Sequence, residues 1–94
     1  MTDQRVAIVT GGARGIGAAI TTALARSGAH VAAGYSSNSK AAEELAGKLN
    51  AEGMSVSVHQ GNVGVPEDCQ RVVQEVLDAK GQVDILVNNA GITR

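Results

Sequence analysis

The chain holds a single cysteine, Cys69, so no internal disulfide can form. A protein without disulfides suits a reducing, cytosolic setting. Aromatics are almost missing: Tyr35 stands alone, with neither Trp nor Phe anywhere. A platform for stacking nucleic-acid bases therefore cannot be built. An excess of one charge sign is missing too, with 8 Lys and Arg against 9 Asp and Glu, a net −1, and no basic run. That balance argues against nucleic acid or an anionic membrane surface as the main partner. No apolar stretch approaches the ~18–20 residues of a membrane span. Met1 to Arg5 lead straight into a strand-like segment, so the expectation is a soluble chain with no signal peptide.

What is present is Gly, Ala and Val in short alternating segments. Val6-Ala7-Ile8-Val9 is a continuously apolar run, the pattern of a strand buried on both faces. Residues 16–27 place Ile16, Ala19, Ile20, Ala23 and Leu24 at helical spacing, and Gly28 stops that helix. His30 to Gly34 reads as a second buried strand. Residues 40–50 read as a helix with Ala41, Ala42, Leu45 and Leu49 on one face, Ser39 as N-cap, and Glu43 and Glu44 towards its favourable end. Val56-Ser57-Val58 marks a third strand. Pro66 suits the first turn of a third helix, striped by Cys69, Val72, Val73, Val76 and Leu77 and ended by Gly81. Val83 to Val87 is the fourth strand. Strand and helix alternating in this way predict an α/β fold, a doubly wound parallel sheet with right-handed crossovers.

The first strand runs into Thr10-Gly11-Gly12-Ala13-Arg14-Gly15-Ile16-Gly17 and then a helix. Glycines there allow a tight turn, close approach of backbone to a pyrophosphate, and close packing of helix on strand. The helix N–H groups and its positive dipole end then face the phosphates. Between a buried strand and an amphipathic helix, the turn points to phosphate binding, the other reading being a strand–helix turn with no ligand; its Gly-x-x-x-Gly-x-Gly spacing is not the Gly-x-Gly-x-x-Gly of most dinucleotide folds. The spacing lacks the Gly-Lys-Ser/Thr of a nucleoside triphosphate loop, which disfavours ATP or GTP.

An NAD site places a carboxylate ~20 residues further on, at the end of the second strand. Here that end is Tyr35-Ser36-Ser37-Asn38, and the nearest acids, Glu43 and Glu44, lie inside the next helix. Arg14 in the turn is a cation within reach of an adenosine 2′-phosphate, or else a solvated surface charge; Lys40 is open to the same two readings. An absent acid with an available cation favours NADP(H). After the third strand, Gly61-Asn62-Val63 offers an amide that can meet the edge of adenine, or one that simply forms a turn. After the fourth, Asn88-Asn89-Ala90-Gly91 brings two amides and small residues to the same sheet edge, where open parallel sheets bind ligands. Cys69 belongs to an apolar helical stripe and reads as core packing. His30 and His59 have no visible partner cluster, so no metal site is expected.

Together, Thr-Gly-x-x-x-Gly-x-Gly near the N-terminus and Asn-Asn-Ala-Gly after the fourth strand resemble the short-chain dehydrogenase/reductase family over essentially the whole chain. The resemblance implies a three-layer, Rossmann-type sheet of which residues 1–94 form the βαβαβαβ portion that binds NADP. By carry-over, Gly11, Gly12, Ala13, Gly15, Ile16 and Gly17 would hold the pyrophosphate. Arg14, with Tyr35, Ser36 and Ser37 nearby, would face the 2′-phosphate. Gly61, Asn62 and Val63 would meet the adenine, and Asn89, Ala90, Gly91 and Ile92 the ribose. Position 62 is commonly Asp in the family, so Asn62 departs from it.

Within the family, Gly11 to Gly17 and residues 83–94 are similar to 3-oxoacyl-[acyl-carrier-protein] reductases and acetoacetyl-CoA reductases. That similarity implies NADPH-dependent reduction of an acyl thioester in the cytosol, by a homotetramer. The family's catalytic Tyr, Lys, Ser and Asn lie beyond the fourth strand and have no counterpart among these residues. The chain ends in the loop leaving that strand, so the expectation is a fragment lacking the catalytic half. Two other readings stay open: a dinucleotide-binding module without catalysis, and a reductase acting on another ketone or alcohol.

Overall fold

Val6 to Val9 offer apolar side chains to both faces of a sheet, and only helices on both sides can cover them. The computed structural model, which describes residues 4–13, 15–62 and 64–89, supplies that cover. In chain order the elements are β1 (Val6–Thr10), α1 (Gly15–Arg26), β2 (His30–Tyr35), α2 (Ser39–Ala51), β3 (Ser55–Gln60), α3 (Pro66–Lys80) and β4 (Ile85–Asn88). The strands lie in the order β3-β2-β1-β4 and every pairing is parallel. This is the three-layer, Rossmann-type arrangement.

The period of two along each strand divides the core. Val9, Val31 and Val56 pack with Ala25 of α1 and with Ala46 and Leu49 of α2 on one face. Val6, Ile8 and Ala32 pack with Val72 and Val76 of α3 on the other. Fully buried aliphatics of this size contribute roughly 1.5–3 kcal/mol each. No helix among the described residues is long and apolar enough to cross a membrane.

Several local expectations need correction. The buried row of α1 is Gly17, Thr21 and Ala25, whereas Ala19 and Ala23 are exposed and Ile16 is 73% exposed. The helix lies so close to the sheet that only small side chains fit beneath it, and Ile20 and Leu24 pack along the flank. The N-cap of α2 is Asn38, not Ser39: its Oδ1 accepts from the Ala41 N–H at 3.0 Å. Glu43 and Glu44 fall outside the first turn of that helix, which holds no acid. β4 begins at Ile85 rather than Val83, because Asp84 Oδ2 takes the Val6 N–H at 2.8 Å before the ladder starts. That backbone bond holds the Asp84 carboxyl below its ordinary value, and Gln82 adds to the effect. β4 is an edge strand, with Leu86 62% exposed.

Candidate functional site

The carboxyl ends of all four strands meet at one edge, and the turns leaving them are tied to one another. Gly11 takes a left-handed φ of 64°, which lets the chain reverse directly after β1. The next residue is gripped on both sides: Gly12 N–H donates to Gly34 O at 3.0 Å, and the fully buried Thr21 hydroxyl donates to Gly12 O at 2.9 Å. Gly17, in the first turn of α1, sits directly against Gly11. A Cβ on Gly17 would come within 1.8 Å of Gly11 O and 2.9 Å of Asn89 Nδ2. The first turn of α1 carries no acidic residue, so no carboxylate of its own offsets its positive end. Gly15 and Ile16 open that helix on the exposed side, while Gly12 and Gly17 are buried. Arg14 lies outside the described residues.

Two cavities flank this turn. A cleft of about 320 Å³ is lined by Thr10, Gly11, Gly34, Tyr35, Ser36, His59, Gly61, Asn62 and Asp68, and runs down onto Ile8, Cys69, Val72, Val73 and Leu86. A smaller one of about 190 Å³ is lined by Gly11, Ala13, Gly34, Tyr35, Ser36, Ser37 and Asn38. Among the described residues lining the smaller cavity there is no carboxylate. The structure thus brings together the turn residues and the end of β2, as the spacing suggested.

The β3–α3 connection joins the same edge. Gly61 N–H donates to Tyr35 O at 2.8 Å, and Gln60 Nε2 to Ser36 O at 2.9 Å. Asn62 turns the chain: its Oδ1 accepts from Gly64 N–H at 2.8 Å, leaving its Nδ2 as the donor that a purine nitrogen could accept. At β4, Thr10 Oγ1 reaches Asn88 Oδ1 at 3.2 Å, and Asn89 Nδ2 donates to Gly11 O at 3.4 Å. Asn89 therefore braces the turn after β1. Val63, Ala90, Gly91 and Ile92 lie outside the described residues.

Sequence reasoning missed the polar row beside this site. Ser55, Ser57 and His59 share one face of β3, opposite Val56 and Val58, and they do form a cluster with His30. His30 Nδ1 lies 2.6 Å from Ser55 Oγ, and His30 Nε2 lies 3.0 Å from Ser57 Oγ. Ser57 Oγ lies 2.8 Å from His59 Nε2, and His59 Nδ1 lies 2.9 Å from Glu75 Oε1. With the His59 Nδ1–H on the carboxylate, Nε2 accepts the Ser57 hydroxyl proton. Ser57 then accepts from His30 Nε2–H, and Ser55 donates to His30 Nδ1. A neutral His30 fits that order: burial, then Lys80 and His59, lowers its pKa from 6.5 to about 4. The bond to His59 in turn holds the Glu75 carboxyl below its ordinary value. The alternation of Ser and His with Val along residues 55–59 was the available signal. Among the described residues, no group of three or more His, Cys, Asp and Glu is placed to hold a metal ion. Cys69 also differs from expectation: it is half-buried and lines the cleft instead of joining the buried core.

Comparisons with known proteins agree with this geometry. The family model described as short chain dehydrogenase matches residues 5–94. The chain is 40% identical over 94 residues to the 3-oxoacyl-[acyl-carrier-protein] reductase FabG of Staphylococcus aureus, covering all of this chain and 38% of that one. It is 45% identical over 91 residues to the acetoacetyl-CoA reductase of Allochromatium vinosum, covering 96% of this chain and 37% of that one. The solved structure of a blue fluorescent protein from a metagenomic library, in complex with NADPH, superposes with a TM-score of 0.89 at 42% identity. That match covers 96% of this chain and 37% of the other. The chain thus spans somewhat over a third of the length of these relatives.

Proposed function

Because the chain belongs to the short-chain dehydrogenase family, we propose that it is the cofactor-binding part of an NADPH-dependent reductase. Its substrate would be a 3-oxoacyl thioester, carried on acyl carrier protein or CoA and reduced to the 3-hydroxyacyl thioester. The observation that carries the cofactor preference is the smaller cavity. It opens between the glycine turn and the end of β2, and the described residues of its lining include two serine hydroxyls and no carboxylate. A carboxylate there would bind the ribose 2′-hydroxyl of NAD and repel a 2′-phosphate. The substrate class is supported by the two reductases named above, each at 40% identity or more.

The residues present fit a dinucleotide. Gly17 and Gly11 touch where a side chain would fill the approach to the helix N-terminus. Gly11 to Gly17 would hold the pyrophosphate. Arg14, Ser36 and Ser37 would hold the 2′-phosphate, and Asn62 would donate to the adenine. When bound, the nicotinamide supplies hydride for a carbonyl carbon. The part these residues play is affinity and orientation.

The test is reduction of acetoacetyl-CoA by the intact protein, followed as loss of NADPH absorbance and repeated with NADH. Turnover at least about tenfold better with NADPH is expected, from the worth of a charged contact to phosphate. A preference for NADH would sink the cofactor reading. Tight NADPH binding without turnover of any carbonyl compound would make this a binding module.

A further inference from the structure

Asp68 occupies the third position of α3, where an acidic side chain ordinarily reaches back to the helix's own N-cap. It does not do so here. The N–H of the N-cap, Val65, donates to Asn62 O at 2.9 Å, and Asp68 Oδ2 takes the backbone N–H of Asn62 at 2.9 Å. The carboxylate that would secure the helix is spent on the loop bordering the cleft. Deepening the cofactor reading above, on which this rests, we propose that Asp68 is a positioning residue for the adenosine end of the bound dinucleotide, acting through Asn62.

The surroundings of Asp68 support that role. Its other oxygen lies 3.5 Å from an Arg71 nitrogen, and Arg71 also bonds Glu75 Oε2 at 3.1 Å. Glu75 in turn bonds His59, back on β3. The circuit therefore begins and ends on the same strand and its exit loop, at His59 and Asn62, and pins the two residues between them, Gln60 and Gly61. Gly61 lies inside this span and rests on α3: a Cβ there would lie 3.0 Å from Val72 Cγ2 and 3.5 Å from Asp68 Cβ. Arg71 has a second effect. A bare carboxylate lining a cleft for an anionic ligand would oppose binding, and the guanidinium offsets its charge. Asn62, so held, spends its Oδ1 on Gly64 N–H and presents a fixed amide.

The experiment uses the intact protein with Asp68→Ala, Asp68→Asn and Arg71→Met. Dissociation constants are measured for NADPH and for adenosine 2′,5′-bisphosphate, which carries only the adenosine half, alongside KM and kcat. Asp68→Ala should weaken both ligands by about tenfold, the usual worth of a lost bond to a charged group. Its kcat should stay within about twofold, because such a loss is one of binding rather than of chemistry. Asp68→Asn should recover most of the affinity, since its amide oxygen still accepts from Asn62 N–H, and Arg71→Met should fall between the two. Wild-type affinity in Asp68→Ala, or a fall in kcat matching the loss of affinity with no recovery in Asp68→Asn, would overturn the proposal. If Asp68→Ala does not fold, Arg71→Met decides: unchanged dissociation constants for both ligands refute it. Failure of the wild type to bind either ligand would remove the cofactor reading itself.

Discussion

Replacing Gly17 with alanine adds one methyl group at the most crowded point of the site. The new Cβ would stand 1.8 Å from Gly11 O, 2.7 Å from Gly11 C and 2.9 Å from Asn89 Nδ2. Ordinary contacts lie at 3.4–4 Å, so the turn or the helix must move by more than an ångström. Neither is free to move. Gly11 O is bonded by Asn89, and Gly12 is held at its N–H by Gly34 and at its carbonyl by Thr21. Overpacking of this kind costs about 1–3 kcal/mol. The displaced groups are also those proposed to meet the pyrophosphate. Gly17→Ala in the intact protein should therefore lose stability by that amount and weaken NADPH binding by at least tenfold.

Gly47→Ala is the matched control. It is the same chemical change, on the exposed side of α2, with nothing within 4 Å of the added Cβ and no positive φ. It should stabilise the protein by about 0.5–1 kcal/mol through helix propensity and leave NADPH binding untouched. Urea denaturation with a fluorescence titration of NADPH reads both quantities. Wild-type affinity and stability in Gly17→Ala would show that the turn is looser than these distances say.

Thr21→Val removes the donor to a buried carbonyl and should cost about 1–3 kcal/mol in urea denaturation, with weaker NADPH binding; an unchanged midpoint would mean Gly12 O finds another donor. His30, 6% exposed, has its pKa lowered from 6.5 to about 4 by burial, so the unfolded chain takes up the proton first as the pH falls. Its contribution is complete above about pH 6.5 and is lost towards pH 4 at up to about 1.4 kcal/mol per unit. Melting temperatures across that window should therefore fall less steeply in His30→Gln, and parallel curves would refute the assignment. Tyr35→Asp combined with Arg14→Ala should shift the NADPH/NADH ratio of kcat/KM towards NADH by tenfold or more; an unchanged ratio would remove the 2′-phosphate site. The 94 residues expressed alone should self-associate through β4, since an apolar edge strand with Leu86 62% exposed invites pairing. A monomeric, cooperatively melting species in sedimentation and calorimetry would contradict that.

The elements whose residues carry strong local rules were legible in the sequence. β1 and β2 read directly from their apolar runs, α3 from its stripe and from Pro66 and Gly81, and the tight turn between β1 and α1 from glycine spacing. Each of these signals depends on neighbours a few positions away along the chain. α1 misled for a physical reason. Its apolar stripe favours Ile16, Ala19 and Ala23, but burial is decided by how near the helix can come to the sheet. Contact between Gly17 and Gly11 selects the small row Gly17, Thr21 and Ala25 instead.

The polar half of the site was illegible because its partners are ordinary in type and meet across different elements, a strand, its exit loop and a helix. Asp68 looks like a first-turn acid that favours the helix dipole, and only the structure turns it back to Asn62. Glu75 and Arg71 look like an exposed pair at i,i+4, of little energetic worth. Joined to His59 on one side and Asp68 on the other, the same pair becomes the link between a strand and the loop it feeds. What helix α3 adds to this edge is thus a set of side chains that hold the Asn62 loop in place. Its sequence advertises only the stripe that packs it on the sheet.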